Sequence, residues 1–204
     1  MSSPSIYTVG YSIHEWPAFV SLLRGARITA IADVRSHPAA RLPQYRQENL
    51  SPGLRGEGIA YVWLGKELGA RRDEPEAYLD HRADYERIAR LPLFLAGIER
   101  LQRGARTHTI ALMCAEREPL DCHRGVLIAR VLQQRGWGVK HLLADGTVEE
   151  HRQTEARLID RVGIDPLLDA SAGRAELLKR AYDEYGAVMA YRRDDLREAP
   201  NPEP

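Results

Sequence analysis

Cysteine is scarce in this chain, with only two in 204 residues. A disulfide scaffold is therefore excluded, and a reducing compartment is the expected home. No apolar run approaches the ~20 residues of a membrane-spanning helix, so no membrane partner is expected. Residues 1–5 carry neither a basic segment nor an apolar one, and no export signal is expected; a cytoplasmic location follows. Net charge is also missing: 29 Lys and Arg balance 29 Asp and Glu. A polycation that coats nucleic acid through its overall field is excluded, although a local basic pocket is not. There is no glycine-rich dinucleotide fingerprint, no phosphate-binding lysine loop and no Cys-x₅-Arg phosphatase loop, because Arg124 follows Cys122 by only two positions. What is present is a hydrophobic fraction of 44%, enough to build a core.

Short β-rich runs alternate with helical spacing. Strands are expected over 6–9, 28–32, 59–64, 107–113 and 137–143, each followed by a glycine or a polar loop. Ser12 and Glu15 have the capping-box spacing ahead of an apolar helix ending at Gly25. Asn49 or Ser51 is placed to cap a helix carrying Leu50 and Leu54. The polar stretch 66–90 reads as an excursion with some helix, and 91–103 and 122–135 read as helices, the latter capped by Asp121. Beyond Thr147 only helices are expected, over about 148–162 and 174–190. The rhythm predicts an α/β fold: a mostly parallel five-stranded sheet with helices on both faces, three-layered and Rossmann-like. Residues 1–193 read as a single domain with a helical extension from about 148, and 194–204 as a disordered tail. Apolar Leu177, Leu178, Tyr182, Val188 and Met189 would cover either the chain's own core or a neighbouring copy.

In such sheets ligands bind beyond the carboxyl ends of the strands. The chemically distinctive residues all fall there: Tyr11 and Ser12 after the first strand, Asp33 and Arg35 after the second, Cys114 and Glu116 after the fourth, then Cys122, His123 and Arg124 at a helix start. A cysteine in a first helical turn near arginine should ionise easily. Cys122 is thus the candidate nucleophile and His123 the acid–base, with Glu116 or Asp33 orienting it. Arg35 and Arg124 suit a phosphate or carboxylate, with Ser12, Tyr11 and Cys114 beside them. The plainer alternatives are a buried Cys122 and an internal network pairing Arg35 and Arg124 with Asp33 and Glu116. Cys114, Cys122, His123 and Asp33 are soft or borderline ligands, but Cys-x₇-Cys-His lacks the short spacing of structural zinc sites, so no metal is assigned. No cofactor is called for. Arg71, Arg72, Arg82, Arg87 and Arg90 make the excursion locally basic, with acidic residues interleaved.

The blocks Thr8-Val9-Gly10-Tyr11-Ser12, Asp33-Val34-Arg35-Ser36-His37-Pro38, Pro43-Gln44-Tyr45, Leu64-Gly65 and Leu112-Met113-Cys114-Ala115-Glu116, leading to Cys122-His123-Arg124, resemble the domain-of-unknown-function family 488. The resemblance runs from about residue 6 to 150. The family pattern often has histidine where this chain has Tyr11, so no histidine role transfers there. The resemblance implies a three-layer α/β fold with the strand-end cluster as its working surface, and it brings no reaction with it. Three functions compete. The first is an enzyme acting on a phosphorylated or nucleotide-like substrate through the Cys/His/Arg site. The second is a non-catalytic module binding a nucleotide or nucleic acid. The third is a purely structural polar network. The expected partner is a small anionic ligand or nucleotide, with nucleic acid as the alternative; oligomeric state is not legible.

Overall fold

The computed structural model describes residues 5–12, 14–165 and 173–193. In chain order its elements are β1 (Ser5–Gly10), α1 (Trp16–Gly25), β2 (Ala30–Asp33), α2 (Gln47–Gly56), β3 (Ala60–Trp63) and α3 (Gly65–Leu68). A hairpin follows, β4 (Tyr78–Leu79) and β5 (Arg82–Ala83), then α4 (Tyr85–Ile88), α5 (Pro92–Gly104) and β6 (Ile110–Cys114). The chain continues through a π-helical stretch Arg124–Ala129 into α6 (Arg130–Gln134), then β7 (Gly138–Leu142), β8 (Val148–Glu150), α7 (His151–Arg161) and α8 (Arg174–Met189).

The fold is α/β around a mostly parallel sheet of order β3-β2-β6-β1-β7-β8. It has six strands, one more than the alternation of runs implied. The extra strand, β8, pairs antiparallel with β7 at the edge, placing Lys140 opposite Glu150. The expectation of helices only beyond Thr147 is therefore corrected. Asp145 and Gly146 make the turn between these strands, with Asp145 Oδ1 accepting from the Thr147 amide at 2.9 Å and Gly146 at a positive φ of 88°.

Alternation along the strands sends side chains to two cores. Ala30, Ala32, Ile110, Leu112 and Cys114 face a layer containing Phe94, Ile98 and Leu101 of α5 and Leu127 and Leu132 of the π/α6 helix. Val9, Ile31, Ala111 and Met113 face the other layer, with Phe19 and Leu23 of α1 and Leu50 and Leu54 of α2. β6 is buried at every position because both faces are covered. Of the apolar residues of α8, Leu177, Ala181 and Tyr182 cover the chain's own core, packing with Leu158 and Ile159 of α7 and with Leu120 and Val126, while Val188 is exposed. No helix among the described residues is long and apolar enough to cross a membrane. The expected tail at 194–204 lies outside the described residues.

Three helix starts differ from expectation. α1 begins at Trp16 with no side-chain cap, so Ser12 and Glu15 form no capping box; Pro17 sets the first turn instead. α2 begins at Gln47, ahead of Asn49 and Ser51, and Asn49 Nδ2 donates to the Pro43 carbonyl. Asp121 does not cap the helix after it. Its carboxylate turns outward to Arg161 Nη1 (2.6 Å) and the Tyr185 hydroxyl (2.8 Å).

A buried chain of hydrogen bonds ties the sheet to α8: Thr8 Oγ1 to His141 Nδ1 (2.7 Å), His141 Nε2 to His151 Nδ1 (2.8 Å), and His151 Nε2 to the Tyr182 hydroxyl (2.9 Å). One proton per ring satisfies every link. Burial lowers both histidines, His151 to about 4. A histidine depressed on folding binds its proton more readily in the unfolded chain. Its stabilisation is therefore complete above the unfolded value near 6.5 and is lost as pH falls toward 4. The His151 shift alone corresponds to about 3 kcal/mol. Urea midpoints are expected to fall steadily from pH 6.5 to 4; a flat profile above pH 4.5 would contradict two neutral histidines here.

Candidate functional site

Parallel pairing places the carboxyl ends of β1, β2 and β6 side by side, with Gly10 opposite Cys114 and Asp33 opposite Met113. The ladder continues past them, since the Tyr11 and Ser12 amides donate to the Cys114 and Ala115 carbonyls. Gly10 is required by this crossing, because a Cβ there would collide with the Glu116 carbonyl. Gly125 has a similar role: a Cβ would strike the Pro119 carbonyl, so only glycine lets the helix start press against the 115–121 loop. The first turns of that helix are π-helical, a widening often found at functional sites.

Arg35 and Asp33 are joined in a forked pair, Nε to Oδ1 at 2.9 Å and Nη2 to Oδ2 at 2.6 Å. Nη1 donates to the Tyr45 carbonyl (2.9 Å) and the Tyr11 hydroxyl (3.2 Å), and the Tyr61 hydroxyl donates to Asp33 Oδ2 (2.9 Å). Tyr11 and Tyr45 stack with ring centroids 4.2 Å apart. Burial works against the charge on Arg35, but Asp33 outweighs it and holds the guanidinium above its ordinary value. Asp33 is wholly buried and does not reach the cavity, so it orients Arg35 rather than a reacting group. The alternative of internal pairing thus holds for Arg35.

It does not hold for Arg124. Its side chain is 1% exposed, Nη2 donates to the Arg117 carbonyl at 3.0 Å, and Nε and Nη1 have no hydrogen-bond partner among the described residues. No carboxylate lies in salt-bridge range of it there. Arg124 is buried and does not line the cavity, whereas Arg35 does.

What lies next to Arg124 is sulfur. The Arg124 amide points at Cys122 Sγ (3.5 Å), and His123 Nδ1 lies 3.7 Å from the same atom. His123 Nε2 meets the Val34 carbonyl at 3.1 Å, which can only accept. That bond puts the proton on Nε2 and aims the Nδ1 lone pair at the sulfur. Burial opposes a thiolate at Cys122, yet the Cys114 thiol, Arg124 and His123 together pull it well below the ordinary thiol range. Cys114 moves the other way, raised by its bond to Cys122 and by burial, so it keeps its proton and donates it. His123 is lowered by burial and raised more strongly by Cys122, ending above its ordinary value. The arrangement favours the thiolate at Cys122 and the cation at His123, with a second thiol beside them.

These groups open on a cavity of about 590 Å³ lined by Tyr11, Arg35, Ser36, His37, Arg71, Tyr85, Cys114, Glu116, Cys122, His123 and Tyr191, among others. Of the candidate residues, Ser12 is exposed elsewhere, and Asp33 and Arg124 stand behind the wall. Glu116 sits at the rim, where desolvation and the Cys122 sulfur raise its carboxyl above the usual range. Arg71 is exposed and reaches the cavity mouth, its guanidinium 4.8 Å from the Tyr191 ring and without a carboxylate partner among the described residues. Arg72, its neighbour, is buried and paired with Glu74, and Arg90 is paired with Glu86, so the excursion forms no continuous cationic strip.

One ligand atom each from Cys114, Cys122 and His123 lies within 4.8 Å of the others, a set able to hold a divalent metal. The sequence spacing hid this closeness, since the 115–121 loop folds back on itself.

The family model described as domain of unknown function DUF488 matches residues 15–131. The chain belongs to this family. The matched span contains Asp33, Arg35, Cys114, Glu116, Cys122, His123 and Arg124, so most of the cavity wall is DUF488 sequence, while Tyr11 and Tyr191 lie outside it. No curated protein and no solved structure matches this DUF488 chain.

Proposed function

We propose that the protein is an enzyme that uses Cys122 as a nucleophile on a small anionic substrate, phosphorylated or nucleotide-like. The observation that carries the reading is the position of Cys122 on a cavity wall, with its sulfur 3.7 Å from His123 Nδ1 and 3.5 Å from the Arg124 amide. A volume of about 590 Å³ suits a small molecule. Arg71 supplies a cationic contact at the mouth and His37 a hydrogen-bonding one, since Arg35 is committed to Asp33. In the first step Cys122 sulfur forms a bond to the electrophilic carbon or phosphorus, its proton having passed to His123. The leaving group departs with a proton from Glu116, whose carboxyl is raised above the usual range by burial and the Cys122 sulfur. Water then cleaves the covalent intermediate, giving its proton back to Glu116 and restoring the thiolate.

Inorganic phosphate or a nucleoside monophosphate is expected to slow alkylation of Cys122 by iodoacetamide. Arg71→Ala should raise the concentration needed for half-protection about tenfold, the loss of one charge-assisted contact, without changing the melting temperature. Alkylation unaffected by either anion at low salt would remove the anionic substrate from the proposal.

A further inference from the structure

Cys114 forms no covalent bond in the reaction proposed above, yet it is a free thiol on the same cavity wall. Its sulfur lies within 4.8 Å of both the Cys122 sulfur and a His123 ring nitrogen. A disulfide needs about 2 Å between sulfurs, so a shift of under about 3 Å joins them. The segment that must give is the 115–121 loop, which contains no helix or strand. Resting on Cys122 as the thiolate, we infer that Cys114 is its resolving thiol, and that hydroperoxides switch the site off reversibly through a Cys114–Cys122 disulfide.

The electrons balance as follows. The Cys122 thiolate attacks one oxygen of the hydroperoxide, breaking the O–O bond; the other oxygen leaves as an alcohol (water, for hydrogen peroxide) with the proton held by His123. Cys122 is now a neutral sulfenic acid. Cys114 sulfur then attacks Cys122 sulfur, and the hydroxyl leaves as water with the Cys114 proton. Two thiols are oxidised by two electrons and one peroxide is reduced. The site also orders the steps. The negative charge on Cys122 is one of the influences that keep Cys114 protonated; oxidation removes it, while Arg124 continues to favour a thiolate on Cys114. A dithiol reverses the bond by exchange.

The test uses the full chain and hydrogen peroxide in slight excess, followed by alkylation and intact-mass measurement. The expected result is loss of two hydrogens, no alkylatable thiol, and full recovery of both after dithiothreitol. In Cys114→Ser and Cys114→Ala, Cys122 should instead be trapped by dimedone as sulfenic acid and then lost irreversibly to sulfinic acid. Wild type that proceeds directly to sulfinic acid, or pairs only between molecules, overturns the inference while leaving fast alkylation of Cys122 intact. Slow alkylation of unoxidised Cys122 at neutral pH would instead bring down the nucleophile reading and this inference together.

Discussion

Arg35→Ala should lower the unfolding free energy by about 3–5 kcal/mol, the range for breaking a buried ion pair from one side. Asp33 would be left fully buried, with the Tyr61 hydroxyl as its remaining side-chain partner. The Tyr45 carbonyl and Tyr11 hydroxyl would also lose the donor that holds them to the β2 end. Replacing both members by apolar residues of similar volume should recover much of that loss, because the cost lies in the orphaned charge rather than in the absence of attraction. Urea denaturation of the two single variants and the double variant checks this. An Arg35→Ala protein that unfolds within about 1 kcal/mol of wild type, the scale of an exposed pair, but loses protection by phosphate would show Arg35 to be a ligand clamp instead.

Cys122→Ser should abolish the fast alkylation at the cavity and any turnover, leaving only the slow reaction of the protonated Cys114, since a serine hydroxyl is not ionised by this environment near neutrality. The more informative change is Arg124→Gln. Arg124 touches no ligand in this account and acts through the charge on Cys122. Its loss should move the pH midpoint of Cys122 alkylation upward, with about tenfold lower thiolate at pH 7 for each unit moved. His123→Gln should move it the same way, whereas Glu116→Gln should leave alkylation fast and impair only steps that need a proton delivered. A purely structural Arg124 would alter the melting temperature and leave the midpoint in place.

Much of this site was legible because strand order forces it. The runs ending at Gly10, Asp33 and Cys114 belong to neighbouring parallel strands, so their following residues meet. Helix-start chemistry marked Cys122 and His123 in the same way. Side-chain commitment was harder to read. Asp33 and Arg35, two residues apart, neutralise each other, while Arg124 faces inward under the π-helical turn where composition alone suggested a ligand contact. Ser12 turned away because Pro17 starts α1 later than the capping spacing implied. Arg71 and Tyr191 come from segments far apart in sequence, and only the folded excursion and the end of α8 bring them to one mouth. β8 was missed because two of its three residues are glutamates, although the Asp145-Gly146 turn ahead of it is a hairpin signal.

The rate of Cys122 alkylation by iodoacetamide as a function of pH, in wild type against Cys114→Ser, measures the thiolate most directly. A midpoint well below the ~8.5 of an ordinary thiol, with reaction at pH 7 faster than free cysteine, is the result expected of a sulfur poised between His123 and Arg124. A midpoint at or above the ordinary value would mean that burial outweighs both cations, and Cys122 would then be a packed core thiol.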